Sequence, residues 1–164
     1  TAEPRRLTKA FAGSAIGVGL VGLAFDVVSV KPWVFGVMPG AWALQGFAMF
    51  TIETRQGEWL GQLGPWQPEG WPGTEVGWAF KRSSWGKGYA TEAAVAAIDW
   101  AFDTLGWSDV IHSISPDNTA SQALAARLGS VNRGPGKLPE PFANERIDIW
   151  GQTREQWRAR RSAA

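Results

Sequence analysis

EVGWAFKRSSWGKGYATE, residues 75–92, has the pattern of a strand, a loop with two glycines and the start of a helix. The apolar run 75–80 predicts the strand. Gly86 and Gly88 let the backbone come close to a ligand, and the amides of residues 86–90 would point outward at the helix N-terminus. Free N–H groups and the helix dipole stabilise an anion there. The sequence therefore predicts a pyrophosphate cradle, although two glycines alone are also typical of a plain turn.

The loop is distinct from two well-known phosphate-binding motifs. It contains no GxxxxGK[ST], and Thr91 stands where GxGxxG has its third glycine. The helix that follows is predicted by apolar residues spaced 3, 4 and 3 apart. These residues are Val95, Ile98, Phe102 and Leu105, and Gly106 follows where a left-handed cap favours glycine.

The rest of the chain predicts a mixed α+β domain. An upstream hairpin joins two apolar runs across a short polar turn with a glycine, and a Pro/Gly-rich loop follows it. Downstream, β-branched or alternating runs predict two strands around a short helix, and the basic tail predicts a terminal helix or a frayed end. The hairpin runs are 46–53 and 59–64, and the Pro/Gly-rich loop is 65–73. The downstream strands are 110–115 and 146–150, the short helix between them is 118–129, and the tail begins at 153. This order favours a largely antiparallel sheet flanked by helices.

The N-terminal segment is unusual. Residues 10–25 carry no charge and follow Arg5, Arg6 and Lys9. Basic residues, an apolar run of ~16 and the small residues before Phe25 are typical of a signal peptide cleaved after Ala24. The run is shorter than the ~20 residues that span a bilayer. Three interpretations stay open: buried elements of a soluble domain, a targeting segment, or a stretch read in a shifted frame.

Composition excludes several kinds of chemistry. At ~100–200 residues per domain, residues 1–164 predict a single domain. Sixteen basic and fifteen acidic residues give a net charge of +1, which disfavours nucleic acid as a partner. With no cysteine and a single histidine, the chain has no disulfide, thiolate nucleophile, cysteine-ligated metal or multi-histidine metal site. We expect no metal, no membrane partner and a cytoplasmic location.

Four segments resemble the GNAT superfamily of acetyl-CoA-dependent N-acetyltransferases, in the branch that includes the ribosomal-protein N-terminal acetyltransferases. They are EVGWAF at 75–80, WGKGYATEA at 85–93, PDNTAS at 116–121 and LG at 128–129. The resemblance runs from about Ala43 to Trp150. It implies the GNAT fold, a mixed and mostly antiparallel sheet flanked by helices. It also implies direct transfer of an acetyl group from acetyl-CoA to an amine in a ternary complex.

The resemblance implies a set of residues that bind acetyl-CoA. The backbone of Trp78, Ala79 and Phe80 would pair with the pantetheine arm, and Asn118 would hydrogen-bond it. The pyrophosphate would lie on the amides of Gly86, Lys87, Gly88, Tyr89 and Ala90, next to Thr91. The family usually has Gln or Arg where Ser83 stands, and the adjacent Arg82 would substitute. Residues 12–40 do not resemble this branch.

Two side chains are the implied catalysts. Glu75 would act as the base toward the amine, with Glu58 and Glu53 as alternatives, and Ser121 would donate a proton to the leaving thiolate. The alternatives without a catalytic role are an exposed strand-edge carboxylate for Glu75 and a solvated or capping hydroxyl for Ser121. The one histidine, His112, has no evident partner in the sequence and is interpreted as a core or strand-edge residue.

The acceptor would be a primary amine, from either a protein N-terminus or a small molecule. Eleven tryptophans are several times the usual share of ~1%. Trp66 and Trp71 are candidates for an acceptor site. They also support a rival interpretation, a non-catalytic Trp-rich module that stacks carbohydrate or another ligand. A GNAT homologue that binds acetyl-CoA without transferring acetyl is a third alternative, and a homodimer is a further expectation.

Overall fold

The computed structural model describes residues 23–24, 28–32 and 44–163. These residues form eight strands and three helices. The strands are β1 (Leu23–Ala24), β2 (Val28–Pro32), β3 (Phe50–Thr54), β4 (Trp59–Trp66), β5 (Glu75–Phe80), β6 (Asp109–Ile114), β7 (Val131–Gly136) and β8 (Ile147–Thr153). The helices are α1 (Tyr89–Asp103), α2 (Thr119–Leu128) and α3 (Arg154–Ser162).

The strands form one sheet in the order β1-β2-β3-β4-β5-β6-β8-β7. Every neighbouring pair is antiparallel except β5 and β6, which are parallel and are connected through α1. The predicted mixed, mostly antiparallel sheet with flanking helices is thereby confirmed. The single parallel pair matters for function because it lies in the middle of the sheet.

Helix α1 begins where the sequence predicts it, since Gly88 takes a left-handed φ of 86° that favours glycine. It buries four alanines and three larger residues. These are Ala93, Ala94, Ala97, Ile98, Trp100, Ala101 and Phe102. Alanines let the helix approach β3, β4 and β5 closely, and the core forms there around Phe50, Leu63 and Val76.

Helix α2 has both predicted boundary residues. The Asn118 side chain accepts a hydrogen bond from the Ser121 amide at 3.1 Å, and Gly129 ends the helix with a φ of 91°.

Helix α3 is packed rather than frayed. Thr153 and Gln156 form a capping box, and the indole of the buried Trp157 donates to Asp99 at 2.7 Å. Arg158 pairs with Asp103 at 3.3 Å, and Arg161 pairs with Asp99 at 3.4 Å. The tail is therefore a terminal helix, and these partly exposed ion pairs link it to α1.

Some expectations differ from the fold or fall outside it. Strand β7 was not predicted. Of the unusual segment 12–40, only β1 and β2 lie within the described residues, and they extend the sheet beyond β3. The described residues contain no helix long and apolar enough to cross a membrane. The same residues show no group of three metal-ligating side chains.

Candidate active site

Strands β5 and β6 part after a single bridge. Glu75 faces Ile111, and the Ile111 amide donates to the Thr74 carbonyl at 2.9 Å. The next ladder bond would join the Ser113 amide to the Val76 carbonyl. Instead, the Ser113 amide donates to Glu75 Oε1 at 3.2 Å, and the Val76 carbonyl binds His112 Nδ1 at 2.7 Å. The side chains of Glu75 and His112 thus take the hydrogen bonds of the backbone groups where the strands separate.

The opening exposes a defined set of backbone groups on β5. The Lys81 amide donates to Leu60 in β4 at 3.0 Å, so Lys81 and every second residue before it point their backbone toward β4. The backbone groups of Trp78 and Phe80 therefore point the other way, into the opening. Those of Ala79 point toward β4, although all three residues were predicted to contact the pantetheine arm. The Phe80 carbonyl accepts from Trp85 Nε1 at 3.0 Å.

A cavity of about 880 Å³ begins at this opening and extends to the start of α1. Its walls come from β5, the glycine loop, α1 and α2. Gly86 and Gly88 both have left-handed φ values, and a Cβ built on either would meet no heavy atom within 4 Å. The glycines therefore present open backbone at a helix N-terminus, which is the environment that an anionic group needs.

Most of the predicted contact residues line this cavity. They are Trp78, Ala79, Phe80, Gly86, Gly88, Ala90, Thr91, Asn118 and Ser121. Lys87 and Tyr89 are not among the lining residues. Arg82 is not either, because its guanidinium stacks on the Trp85 ring at 5.2 Å.

Sequence reasoning missed one basic residue of the cavity, Arg127. It reaches Thr91 Oγ1 at 3.5 Å. A signal was present, because Ala120, Leu124 and Arg127 repeat at helical spacing and all three line the cavity.

Ser121 is held by two contacts. Its amide donates to Asn118, and its Oγ accepts from the Trp78 indole at 3.1 Å. Because the indole is only a donor, the hydroxyl keeps its own proton for another acceptor. Ser121 thus offers a proton to the cavity, and its hydroxyl does not cap the helix.

Glu75 lies on the other face of the sheet from Trp78, since side chains alternate along a strand. It is buried, with 7% exposed, and Oε2 accepts from Trp71 Nε1 at 2.6 Å and from Ser113 Oγ at 2.7 Å. Burial raises the pKa of the Glu75 carboxyl above its usual value, and the hydrogen bonds partly oppose this. By contrast, the exposed Glu58 pairs with Lys81 at 2.6 Å, which lowers the Glu58 pKa. Glu75 is therefore the better proton acceptor of the two.

His112 is fully buried and has a partner at each ring nitrogen. Nδ1 donates to the Val76 carbonyl, and Nε2 lies 3.0 Å from Ser130 Oγ, which in turn accepts from Gln152. A neutral ring fits this arrangement, because Nε2 can then accept from the Ser130 hydroxyl, and burial lowers the His112 pKa to about 4. The ring also packs on Trp78 at 4.6 Å. The expectation of a core residue holds, but the expected lack of partners was wrong.

We expect this buried imidazole to make the fold less stable as the pH falls from about 6.5 to about 4. In that range the unfolded chain binds a proton that the folded protein does not, so stability decreases with decreasing pH. The full loss is roughly 3 kcal/mol. Urea unfolding of wild type and His112→Gln across this range measures it, and the stability advantage of wild type should shrink toward pH 4.

The comparison with His112→Gln is needed because Glu75 acts in the opposite direction. A carboxyl with a raised pKa contributes stability at low pH that is lost as the pH rises. Both proteins retain Glu75, so this contribution cancels in their difference. Parallel curves for the two proteins would contradict a neutral His112 in the fold.

The opened central sheet and the glycine loop beside it define the GNAT fold, and the comparisons with known proteins agree. The family model for the acetyltransferase (GNAT) domain matches residues 18–131. The chain therefore belongs to the GNAT acetyltransferase family. The cavity is lined by the glycine loop and by the start of α2, and both segments contain motifs on which the resemblance to this family rests.

Three similar proteins illustrate the relationship. The uncharacterised protein YkkB of Bacillus subtilis is 40% identical over 87 residues, which is 51% of each chain. A crystal structure of an acetyltransferase from Agrobacterium tumefaciens has a TM-score of 0.68 at 23% identity, over 90% of this chain and 100% of that one. Mycobacterium smegmatis RimJ in complex with CoA-disulfide has a TM-score of 0.59 at 26% identity, over 73% of this chain and 60% of that one. The chain spans about half the length of the curated relatives it matches.

Proposed function

We propose that this protein transfers an acetyl group from acetyl-CoA directly to a primary amine, with both substrates bound at once. The observation that carries the proposal is the opening between β5 and β6. A cavity with a helix N-terminus lies beside it on one face of the sheet, and the buried carboxylate of Glu75, at the bridge where the strands part, lies on the other face. The sequence has no cysteine, so an acetyl-cysteine intermediate is excluded and direct transfer is favoured.

The cavity fits acetyl-CoA in size and chemistry. A volume of about 880 Å³ is within the usual range of ligand pockets. The amides of Gly86, Gly88 and Ala90 would hold the diphosphate, with Lys87 and Arg127 supplying positive charge. The backbone groups of Trp78 and the Phe80 amide would pair with the pantetheine arm, and the Asn118 amide nitrogen would donate to it. The CoA-disulfide bound by RimJ supports this choice of ligand.

The reaction would use three groups of this chain. Glu75 accepts the proton that the amine loses, directly or through a water, as the new N–C bond forms. A backbone amide of β5, from Trp78 or Phe80, polarises the thioester carbonyl. The C–S bond then breaks, and the Ser121 hydroxyl gives its proton to the thiolate. Water returns a proton to Ser121, and Glu75 releases the proton from the amine to solvent. Glu75 and Ser121 lie on opposite faces of the sheet, which matches an acceptor and a leaving group on opposite sides of the carbonyl.

Calorimetry with two ligands tests the proposal first. Acetyl-CoA is expected to bind at micromolar strength, while S-acetylpantetheine, which lacks the diphosphate and the nucleotide, is expected to bind far more weakly. Thiol release with a panel of amines then tests transfer. Failure of both ligands to bind would reject the proposal. Binding without thiol release from any amine would indicate a protein that binds acetyl-CoA but does not catalyse transfer.

Removing the Ser121 hydroxyl gives a more specific prediction. We expect Ser121→Ala to lower kcat by about 10- to 100-fold, because the thiolate would leave without its proton donor. The KM for acetyl-CoA should change little, since the hydroxyl acts on the leaving group. Steady-state thiol release measures both values. Ser83→Ala is the matched control, because Ser83 is exposed and does not line the cavity. An unchanged kcat in Ser121→Ala would assign the proton to water instead.

A further inference from the structure

Three aromatic rings form a cluster on the face of the sheet that carries Glu75. Trp71 lies edge-on to Trp66, with ring centroids 6.2 Å apart, and edge-on to Phe142, with centroids 6.3 Å apart. We call these three residues the aromatic wall. Trp66 and Trp71 are half-buried, and Phe142 is 47% exposed. The wall therefore has ring surface that the described residues do not cover.

The wall adjoins the Glu75 carboxylate directly. Trp66 is the cross-strand neighbour of Glu75 in the β4–β5 pair, so the two side chains lie on the same face. Trp71 is also the indole that donates to Glu75 Oε2.

Met49 adds an apolar surface beside the same carboxylate. A Cβ on Gly77 would come within 2.7 Å of Met49 Cε and 3.5 Å of Glu75 Oε1. A glycine at this position therefore makes room for the Met49 methyl group next to Glu75.

The charge of this site is unbalanced. Glu75 accepts three hydrogen bonds, all of them from neutral donors in Trp71 and Ser113. No cationic side chain among the described residues bonds to it or contributes to its pKa shift. Buried carboxylates are ordinarily paired with a positive charge. Aromatic faces also attract cations, so the missing partner fits an ammonium group.

We infer that the aromatic wall and Glu75 form the acceptor site, and that the acceptor is a primary monoamine carrying an apolar, preferably aromatic, group. This inference rests on the proposed function. One carboxylate among rings matches one amine next to an apolar body. A polyamine would need further buried carboxylates along its length, whereas the other carboxylates in the loops of the wall, Glu69, Glu140 and Glu145, are exposed.

Amine selectivity tests the inference. Thiol release is measured with phenethylamine, ethylamine and spermidine, and with a short peptide whose N-terminal residue is phenylalanine. We expect kcat/KM for phenethylamine to exceed that for ethylamine and spermidine by about tenfold or more, because only the aryl group contacts the wall. A peptide that outperforms phenethylamine would show that the apolar amine is a protein N-terminus, with the same site chemistry.

The variant Phe142→Ala identifies the wall as the cause. It lies in a loop and is half exposed, so its removal should leave the fold intact. We expect it to raise the KM for phenethylamine by about tenfold while the values for ethylamine and acetyl-CoA stay constant. Trp59→Ala is the matched control, since that ring is similarly exposed, at 51%, and lies outside the wall. It should change none of these values.

A direct binding measurement separates this inference from the proposed function. Phenethylamine binding is followed by calorimetry with CoA present, which needs no turnover. Transfer without preference for an apolar amine, or a preference that survives Phe142→Ala, would overturn the inference and leave the proposed function standing. Binding of phenethylamine that depends on Phe142, without thiol release from any amine, would keep the amine site and reject the transferase. No binding and no release would reject both.

Discussion

Replacing Glu75 with glutamine is expected to lower kcat for acetyl transfer by about 10²–10⁴-fold, the usual contribution of a positioned general base. Glutamine keeps the shape of the side chain but cannot take the proton that the amine loses. The fold should survive, because burial disfavours the charged form of Glu75 and a neutral amide avoids that cost. Steady-state thiol release measures kcat, and urea unfolding measures the free energy of unfolding.

The pH profile adds a readout that a merely structural role would not change. Glu75 must be ionised to act as a base, and its pKa is raised by burial above 4.5. In wild type, kcat/KM should therefore rise with pH along an acidic limb that lies above the usual range for glutamate. In Glu75→Gln this limb should be absent from the residual activity.

Glu58→Gln is the comparison for this prediction, since the sequence left Glu58 open as the base. The structure pairs Glu58 with Lys81 on the surface, so its replacement should change kcat by less than about twofold. A large loss of activity in Glu58→Gln, or a Glu75→Gln variant within a few-fold of wild type, would assign the base elsewhere.

The parts of the fold that the sequence predicts are those with local causes. Strand β5 runs from Glu75 to Phe80 as its apolar run indicates. Helix α1 begins after Gly88, and helix α2 begins at the capping Asn118 and ends at Gly129. These residues act through the backbone of their immediate neighbours. Strand β7 was missed for a related reason, because its sequence VNRGPG is typical of a turn. It is a strand because it pairs with β8, a contact that no local pattern encodes.

The same distinction explains what was missed at the site. The glycine loop is visible as a motif, but the partners of Glu75 and His112 are non-local. Ser113 lies 38 residues from Glu75, and the Val76 carbonyl lies 36 residues from His112. Only the separation of β5 from β6 brings these groups together. The lone histidine of the sequence, which offered no chemistry by itself, thus helps to hold open the gap that the proposed function requires.

The glycine loop carries the second large prediction, in which Gly88→Asp weakens acetyl-CoA binding by at least about 100-fold. Two like unit charges about 4 Å apart cost roughly 4 kcal/mol at an effective dielectric constant of ~20, so an aspartate beside the diphosphate opposes it strongly. The φ of 86° at Gly88 is one that aspartate tolerates better than most residues, and a Cβ there meets nothing within 4 Å. The variant should therefore fold, and calorimetry with acetyl-CoA measures the loss.

Gly106→Asp separates the electrostatic effect from backbone strain. Gly106 has a similar φ of 73° and equally open surroundings, but it follows the other end of α1 and does not line the cavity. Both variants meet a similar backbone strain, about 1 kcal/mol, in the left-handed conformation. The helix dipole favours aspartate at the N-cap Gly88 and disfavours it beyond the C-terminal end, so Gly106→Asp should lose more stability than Gly88→Asp. Only Gly88→Asp should lose affinity for acetyl-CoA, and raising the salt concentration should restore part of it. Equal affinities in the two variants would mean that the diphosphate does not lie at the N-terminus of α1, because the repulsion between the aspartate carboxylate and the diphosphate would then be absent.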